Sequence, residues 1–119
     1  ILGLTFKPNT DDVRDSASIN MIDMIKSEGG DIRAYDPIAN ESMKSIFPDL
    51  NYYTSWEDAC KDADGVAIMT EWNEFRGISL PLLKSLLKSP VLLDTRNIFR
   101  LENLEKNKFT YENVGRSSI

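Results

Sequence analysis

The feature that most constrains the fold is a regular alternation of short apolar runs and longer amphipathic segments. The apolar runs predict strands at residues 1–5, 31–35, 51–53, 65–70, 91–94 and 109–114. Runs such as "GVAIM" and "VLLD" are apolar on both sides, as is typical of parallel strands buried on both faces. Helical patterns lie between them. Right-handed crossovers then predict a Rossmann-like α/β fold, a doubly wound, mainly parallel sheet of about six strands with helices on both faces.

Three serines indicate where helices should begin: Ser16, Ser55 and Ser79. Each hydroxyl can accept a hydrogen bond from an N–H group in the first helical turn. The glycine pair at 29–30 favours a left-handed end for the first helix. Within that helix, Met21, Met24 and Ile25 are expected to share the face toward the core, with Ile22 beside them.

The chain is expected to form one domain over residues 1–119, because no internal repeat, low-complexity segment or linker interrupts the pattern. Its net charge of −5 argues against nucleic acid or an anionic membrane surface as a partner. No apolar run approaches the ~20 residues of a membrane span. The chain begins at Ile1 inside an apparent strand, so we expect it to be a piece of a longer protein.

The single cysteine and the absence of histidine limit the chemistry that the chain can carry. A disulfide within the chain, a zinc site built from Cys and His, and a Ser-His-Asp arrangement are all excluded. The composition suits a reducing cytoplasm. Cys60 lies on the apolar side of a short helical pattern, where a buried small hydrophobic residue is commoner than a nucleophile. We therefore expect no metal site and no catalytic residue in this chain.

Positive side chains follow three of the predicted strands. The segments are "FKPNTDDVR", "EWNEFR" and "DTRN", and their cations are Lys7, Arg14, Arg76 and Arg96. In open parallel sheets, ligands bind beyond the carboxyl ends of the strands where the strand order reverses. The cations therefore predict an anion site at that edge. The alternative is that they are solvated surface charges, which is the commoner situation at loop ends.

The first of these segments lacks the glycines of a dinucleotide-binding loop. Such a loop cradles a pyrophosphate with main-chain N–H groups, whereas here Pro8 has no N–H and the neighbouring side chains are bulky. Long side chains can replace those groups, with Arg binding phosphate through two donors and Lys acting as a point charge. If an anion binds, Lys7 and Arg96 are the expected ligands.

Two other features leave alternatives open. Asp36 ends the second predicted strand, where a dinucleotide fold often has an acid for a ribose hydroxyl, but "DP" also favours a turn. Trp72 and Phe75 can pack beneath their loop or flank a ligand. For both features the packing or turn interpretation is the commoner one.

Several segments together resemble a known family. "GLTFKPNTDDVRDS" is similar to the opening of the C-terminal domain of the UDP-glucose/GDP-mannose dehydrogenases, and further matches follow in order: "YDP" (35–37), "ADGVAIMTEWNEF" (63–75), "DTRN" (94–97) and "YENVGR" (111–116). The matches cover nearly the whole chain. The wording "TEWNEF" and "FKPNTDD" is closer to the members that oxidise UDP-glucose than to those that oxidise GDP-mannose.

The resemblance implies a three-part enzyme that oxidises the C6 alcohol of a nucleotide-sugar to a carboxylate with two NAD molecules. An N-terminal Rossmann domain would bind most of the NAD, a central helical segment would form a homodimer, and this domain would hold the UDP-sugar. The nucleophilic cysteine, which would form a thiohemiacetal and a thioester, belongs to a glycine-rich motif outside this chain. Cys60 matches no such motif.

By position in the family's motifs, Phe6 and Lys7 would line the sugar end of the substrate site, with Lys7 near the reacting C6 group. Arg96 would contact the substrate, at its phosphates. Arg14 would face the NAD pyrophosphate across the cleft between domains. The fragment alone is expected to be inactive.

Other function classes stay open on the sequence alone. The chain can be a stand-alone nucleotide-sugar-binding or regulatory module, or a Rossmann-like interaction domain that has lost its ligand site. It can also belong to a dehydrogenase of GDP-mannose or of UDP-N-acetyl sugars, since these share the domain.

Overall fold

The computed structural model describes residues 1–113 of the 119-residue chain. Its helices are α1 Ala17–Ser27, α2 Asn40–Lys44, α3 Trp56–Cys60, α4 Asn73–Arg76, α5 Leu80–Leu86 and α6 Leu101–Lys106. Its strands are β1 Arg33–Ala34, β2 Asn51–Tyr52, β3 Val66–Ile68, β4 Val91–Asp94 and β5 Thr110–Asn113. Strands and helices alternate, so the α/β class is confirmed. The ends of the run 109–114 and of the "YENVGR" segment lie outside the described residues.

The strands form two small parallel sheets that meet at one residue. β1 pairs with β2, and the second sheet has the order β3-β4-β5. Leu2 lies between the sheets and makes isolated parallel bridges to Tyr35 on one side and Ile68 on the other. The spatial order is therefore β2-β1-Leu2-β3-β4-β5, and it reverses at Leu2. The expected sheet of six strands is not confirmed, because the described residues form five strands and the first apolar run contributes only a bridge.

The first apolar run leaves the sheet at Gly3. The Gly3 N–H still donates to the carbonyl of Tyr35 at 2.9 Å. Gly3 has a φ of +97°, which side-chain-bearing residues rarely adopt, and a Cβ at this position would lie 2.6 Å from Thr70. Beyond Gly3 the main chain bonds to the side chains of Asp36 and Thr70 instead of to a neighbouring strand. This exchange of partners is the physical reason why residues 1–5 do not form a strand.

The three helix starts expected from serine residues are confirmed. Each hydroxyl accepts an N–H of its own first turn: Ser16 from Ser18 (3.1 Å), Ser55 from Asp58 (3.1 Å) and Ser79 from Leu82 (3.3 Å). Helix α1 is followed by Gly29 with a φ of +80°, as the glycine pair predicts. Helix α4 was not predicted, because its four residues lie in a segment interpreted as a loop and no side chain caps its start.

The core consists of two apolar clusters. The larger includes Ile68, Phe75 and Leu83, and the smaller includes Ile22 and Met43. All five of these side chains are fully buried.

The two clusters take alternate residues of one strand segment. Ala34 belongs to the smaller cluster and its neighbour Tyr35 to the larger one, as expected when side chains alternate between the two faces of a sheet. The segment therefore has apolar packing on both of its faces.

The face of α1 that points inward differs from the expected one. Ile22 is fully buried, whereas Met24 is 55% exposed. Ser18 is buried one turn before Ile22 and donates its hydroxyl hydrogen to the carbonyl of Gly3 at 2.8 Å. That bond turns the Ser18–Ile22 face toward the core, so the prediction that Met24 shares the buried face is wrong.

No helix within residues 1–113 is long and apolar enough to cross a membrane.

Candidate functional site

Three loops meet at the carboxyl ends of the strands. Residues 4–16 follow the Leu2 bridge, residues 69–72 follow β3, and residues 95–100 follow β4. Two bonds join them: Thr70 donates its hydroxyl to the carbonyl of Thr5 at 2.8 Å, and Arg96 Nη2 donates to the carbonyl of Phe6 at 3.2 Å. Because the strand order reverses at Leu2, this is the edge where a ligand is expected in an open parallel sheet.

The start of the 4–16 loop is fixed by one side-chain hydrogen bond for each residue. The partners are Asp36 for the N–H of Leu4, Thr70 for the carbonyl of Thr5, Arg96 for the carbonyl of Phe6, and the Thr5 hydroxyl for the carbonyl of Lys7. The distances lie between 2.8 and 3.2 Å. The loop therefore holds the main chain of Phe6 and Lys7 in place while both side chains stay exposed.

Most of the guanidinium group of Arg96 is bound to other residues of the protein. Nε donates to the carbonyl of Met69 at 3.0 Å, Nη2 donates to Phe6, and Nη1 lies 3.7 Å from Glu71 Oε2. The Arg96 side chain is 27% exposed. Arg96 thus ties the loop after β4 to the two other loops of the edge, and it offers a ligand only the part of its charge that remains at the surface.

Lys7 and Arg14 share a hollow at the outer side of the 4–16 loop. The hollow has a volume of about 420 Å³. It is lined by Phe6, Lys7, Thr10, Asp12, Arg14 and Asp15. Three of the four residues expected to bind ligands are therefore together. Arg96 does not line this hollow. It is linked to these residues by the hydrogen bond from its Nη2 to the carbonyl of Phe6.

Arg14 forms a two-point ion pair with Asp12 on the surface. Arg14 Nη2 lies 2.7 Å from Asp12 Oδ2, Nε lies 3.0 Å from Oδ1, and the Arg14 side chain is 85% exposed. The bonds from Arg14 hold the pKa of Asp12 well below its usual range, at about 2. An anion that approaches Arg14 meets a cation that already has a carboxylate partner.

The loop 95–100 is held by the buried carboxylate that ends β4. Asp94 is fully buried. Its Oδ1 accepts the N–H of Arg96 at 3.2 Å, and its Oδ2 accepts the N–H of Phe99 at 3.0 Å. The hydroxyl of Thr95 donates to the carbonyl of Ile68 in β3 at 2.7 Å. These bonds place Arg96 where it reaches both other loops.

Asp36 closes a turn, as the "DP" pair favours. Its Oδ1 accepts the N–H groups of Ile38 and Ala39, both at 3.0 Å. The carboxylate is only 2% exposed, and its second oxygen also accepts protein N–H groups. The alternative in which Asp36 binds a ribose hydroxyl is therefore not supported by its position.

The two aromatic residues of "EWNEF" pack in the larger core cluster. Trp72 is 8% exposed and Phe75 is fully buried. Phe75 contacts the ring of Tyr35 edge to face, with ring centres 6.1 Å apart. Tyr35 donates its hydroxyl to Glu74 Oε1 at 2.9 Å, and burial together with this carboxylate raises the pKa of Tyr35. The packing interpretation of Trp72 and Phe75 is confirmed.

The other reactive or charged candidates lie away from the hollow. Cys60 is buried, and burial raises the pKa of its thiol to about 11, so it is an unreactive core residue. Arg76 lines a separate hollow of about 350 Å³ together with Pro81 and Arg100. Of the four cations, Arg76 is thus the one that lies apart. Among residues 1–113, no group of His, Cys, Asp or Glu side chains could hold a metal ion.

Sequence reasoning missed the residues that build the loop. Thr70 and Asp12 were not identified as partners of Thr5 and Arg14. Within this loop Thr10 accepts the N–H of Asp12 at 3.1 Å in a local turn. A threonine at the end of the apolar run 65–70 is the one signal that could have pointed to Thr70.

A family model described as "UDP-glucose/GDP-mannose dehydrogenase family, UDP binding domain" matches residues 1–101. A UDP-glucose 6-dehydrogenase of Rhizobium meliloti is 41% identical over 116 residues, which cover 98% of this chain and 26% of that protein. UDP-glucose 6-dehydrogenase TuaD of Bacillus subtilis is 39% identical over 120 residues, with 100% and 26% coverage. The chain spans about a quarter of the length of these curated relatives.

Solved structures show the same fold. A UDP-glucose dehydrogenase of Pyrobaculum islandicum superposes with a TM-score of 0.73 at 28% identity, over 86% of this chain and 22% of the other. A UDP-D-ManNAc dehydrogenase of Pyrococcus horikoshii superposes with a TM-score of 0.75 at 25% identity, over 97% of this chain and 24% of the other. The α/β arrangement with parallel strands is thus shared with domains of nucleotide-sugar dehydrogenases.

Proposed function

The chain belongs to the UDP-glucose/GDP-mannose dehydrogenase family, as its UDP binding domain, and from that premise we propose that it is the nucleotide-sugar-binding domain of an NAD-dependent UDP-glucose 6-dehydrogenase. The intact protein would oxidise the C6 alcohol of UDP-glucose to the carboxylate of UDP-glucuronate, with two NAD molecules as electron acceptors. The domain alone would bind substrate without turning it over, because Cys60 is the single cysteine of the sequence, is buried, and matches no glycine-rich nucleophile motif.

The observation that carries the proposal is the fixed 4–16 loop at the point where the strand order reverses. Its first residues are held by side-chain bonds from three other segments, while Phe6 is 55% exposed and Lys7 is also exposed. A preorganised cation stabilises negative charge that develops in a transition state, because it does not have to reorganise during the reaction. We assign this role to Lys7, toward the oxygen at C6.

The roles proposed for the other residues are consistent with their surroundings. Phe6 would cover the sugar, since its ring is exposed beside Lys7. Arg96 would contact the substrate phosphates with the exposed part of its guanidinium while its other donors hold the loop.

NAD would supply the hydride acceptor, and Arg14 is the residue that fits its pyrophosphate. It is a highly exposed cation on the hollow that also contains Lys7. The loop has Pro8 where a dinucleotide-binding loop offers main-chain N–H groups. Most of the NAD contacts are therefore assigned to the rest of the intact protein.

Substrate identity is proposed from the curated relatives described above. Those at 41% and 39% identity are described as UDP-glucose 6-dehydrogenases, whereas the described UDP-D-ManNAc dehydrogenase is 25% identical. UDP-N-acetyl sugars are therefore the second candidate, and GDP-mannose the third.

The strand order reversing at Leu2 supports the doubly wound description of the sheet. We also propose a homodimer through the remainder of the protein, and a cytoplasmic location in keeping with the free Cys60.

The test is the Lys7→Ala variant of the full-length protein that carries this domain. We expect kcat for UDP-glucose to fall about 100-fold, since the loss of one preorganised donor has an effect of this size. The melting temperature should stay within error of the parent value, because the Lys7 side chain is exposed.

Lys88→Ala is the matched control. Lys88 is also an exposed lysine, but it lies just before β4, at the opposite edge of the sheet. Its kinetic constants should not change. A Lys7→Ala enzyme with the parent kcat would contradict the role of Lys7, and activity on UDP-N-acetyl sugars alone would replace UDP-glucose by the second candidate.

A further inference from the structure

Asp36 makes more hydrogen bonds than a turn requires. Oδ1 accepts the N–H groups of Ile38 and Ala39, both at 3.0 Å, and these two bonds alone close the turn. Oδ2 accepts the N–H of Leu4 at 2.8 Å and the indole N–H of Trp72 at 3.1 Å. The second pair reaches residues that are 32 and 36 positions away in the sequence. Half of the hydrogen bonds of this buried carboxylate therefore serve something other than its own turn.

The two distant partners lie on two of the three loops that form the site. Leu4 is the first residue of the 4–16 loop, three residues before Lys7, and Trp72 is in the loop after β3. A single oxygen atom thus fixes the start of one loop relative to the other. A carboxylate is suited to this position, because an ionised oxygen accepts from two donors and charge-assisted bonds are short and strong.

We infer that Asp36 is a positioning residue for Lys7: its Oδ2 sets the distance between the 4–16 loop and the 69–72 loop, and so places the Lys7 side chain against the sugar. The inference rests on the proposed function, since Lys7 is the group that is placed. A short series of hydrogen bonds connects Asp36 to the main chain of Lys7. Leu4 is held by Asp36, Thr5 by Thr70, and the carbonyl of Lys7 by the hydroxyl of Thr5.

The Asp36→Asn variant separates the turn from the link between loops. The amide oxygen of asparagine can take the place of Oδ1 and still accept the N–H groups of Ile38 and Ala39. The amide NH2 then takes the place of Oδ2 and faces the N–H of Leu4 and the indole N–H of Trp72, so that donors face donors. The variant keeps the turn and removes the link.

In the full-length protein we expect Asp36→Asn to lower kcat for UDP-glucose about 100-fold at a temperature well below its melting point, because a displacement of about 1 Å has this effect. The Kd for UDP, which lacks the sugar, should stay within about twofold of the parent. Unchanged kcat would overturn the inference. An equal loss of UDP affinity would also overturn it, since that pattern indicates a general loss of structure.

Two further variants keep the test decisive. Trp72→Phe removes only one donor to Oδ2 and keeps an aromatic ring, so it should lower kcat by a smaller factor than Asp36→Asn does. If Asp36→Asn does not fold, Trp72→Phe alone tests the inference. Tyr52→Phe is the control, because it also removes one donor, to the carbonyl of Phe47 at 2.8 Å, without touching either loop. Its kcat should equal that of the parent, and a fall as large as in Trp72→Phe would overturn the inference.

A double variant distinguishes this inference from the proposed function. If Asp36 acts through Lys7, then Asp36→Asn should cause no further loss of kcat in a Lys7→Ala background. Additive losses would overturn the inference and leave the role of Lys7 intact. If Lys7→Ala alone has no effect, the proposed function of Lys7 fails, and with it the role assigned here to Asp36.

Discussion

Arg14 is paired with Asp12, and any anion that Arg14 binds has to share or replace that carboxylate. The pair is on the surface, with the Arg14 side chain 85% and the Asp12 side chain 40% exposed. Exposed ion pairs contribute little to stability, because water and salt screen both charges. Asp12 nevertheless restricts where the guanidinium lies, since two donors of Arg14 contact its two oxygens. The pair presents Arg14 to the hollow in one orientation.

At the residue scale we predict that Arg14→Ala in the full-length protein weakens the binding of NAD more than the binding of UDP-glucose. The reason is that Arg14 is assigned to the NAD pyrophosphate, and the loss of a charge-assisted bond should weaken the affinity for that ligand roughly 10-fold. Titration with each ligand measures the two dissociation constants. Arg100→Ala is the control, because Arg100 is also an exposed arginine, 2.9 Å from Glu102. A larger loss for UDP-glucose than for NAD would show that the loop cations are misassigned.

The sequence predicted which cations lie at this edge of the sheet better than it predicted their hydrogen-bond partners. Lys7 and Arg14 could be predicted because charge, proline and a missing glycine loop are all local in the sequence. The bonds that hold the loop just before Lys7 are not local: Thr70 reaches Thr5 over 65 positions, and Arg96 reaches Phe6 over 90. Pairing over such distances depends on the three-dimensional arrangement of the loops, which no spacing rule contains.

At the scale of elements, helix starts were predictable and the first strand was not. Ser16, Ser55 and Ser79 each act on a residue two or three positions away, so the information lies within one helical turn. The run 1–5 has the composition of a strand, but its main chain turns away at Gly3 and is bound by side chains. An apolar run has the same pattern whether or not its main chain pairs with a neighbouring strand, because burial and not strand pairing determines the pattern.

The prediction at this scale concerns the 4–16 loop, whose order depends on side-chain bonds. Thr70→Val removes the hydroxyl that binds the carbonyl of Thr5 and keeps a side chain of similar shape. We expect unfolding free energy to fall by about 1–3 kcal/mol, because a fully buried carbonyl loses its partner. Hydrogen exchange or limited proteolysis should show the 4–16 loop opening more often.

Tyr52→Phe is the control for this loop. Its hydroxyl also donates to a main-chain carbonyl, that of Phe47, at 2.8 Å, but this bond joins β2 to the segment after α2 and involves none of the three loops. The control should lower stability without faster exchange in the 4–16 loop. Equal exchange in the two variants would mean that the loop is ordered by general packing and not by the Thr70 bond.

For the molecule as a whole, the two sheets are joined through a single residue of the first run. Leu2 bridges Tyr35 and Ile68. Its own N–H donates to the carbonyl of Ala67 at 2.8 Å, and its carbonyl accepts the N–H of Met69 at 2.8 Å. The point of reversal is therefore also the only described connection between the sheets through such bridges. The position of the proposed ligand edge and the continuity of the sheet therefore depend on the same residue.

The last prediction is that Leu2→Ala loosens both sheets at their junction. Leu2 is fully buried, so truncation should lower the unfolding free energy by about 2–5 kcal/mol. Its cavity lies at the junction, and the amide hydrogens of Tyr35 and Met69, which bond to Ile1 and Leu2 at 3.0 and 2.8 Å, should exchange faster than in the parent. Leu104→Ala is the comparison, since Leu104 is equally buried but lies on α6. At matched stability, Leu104→Ala should leave these two amides protected. If both variants accelerate them equally, the sheets unfold as one unit and Leu2 is an ordinary core residue.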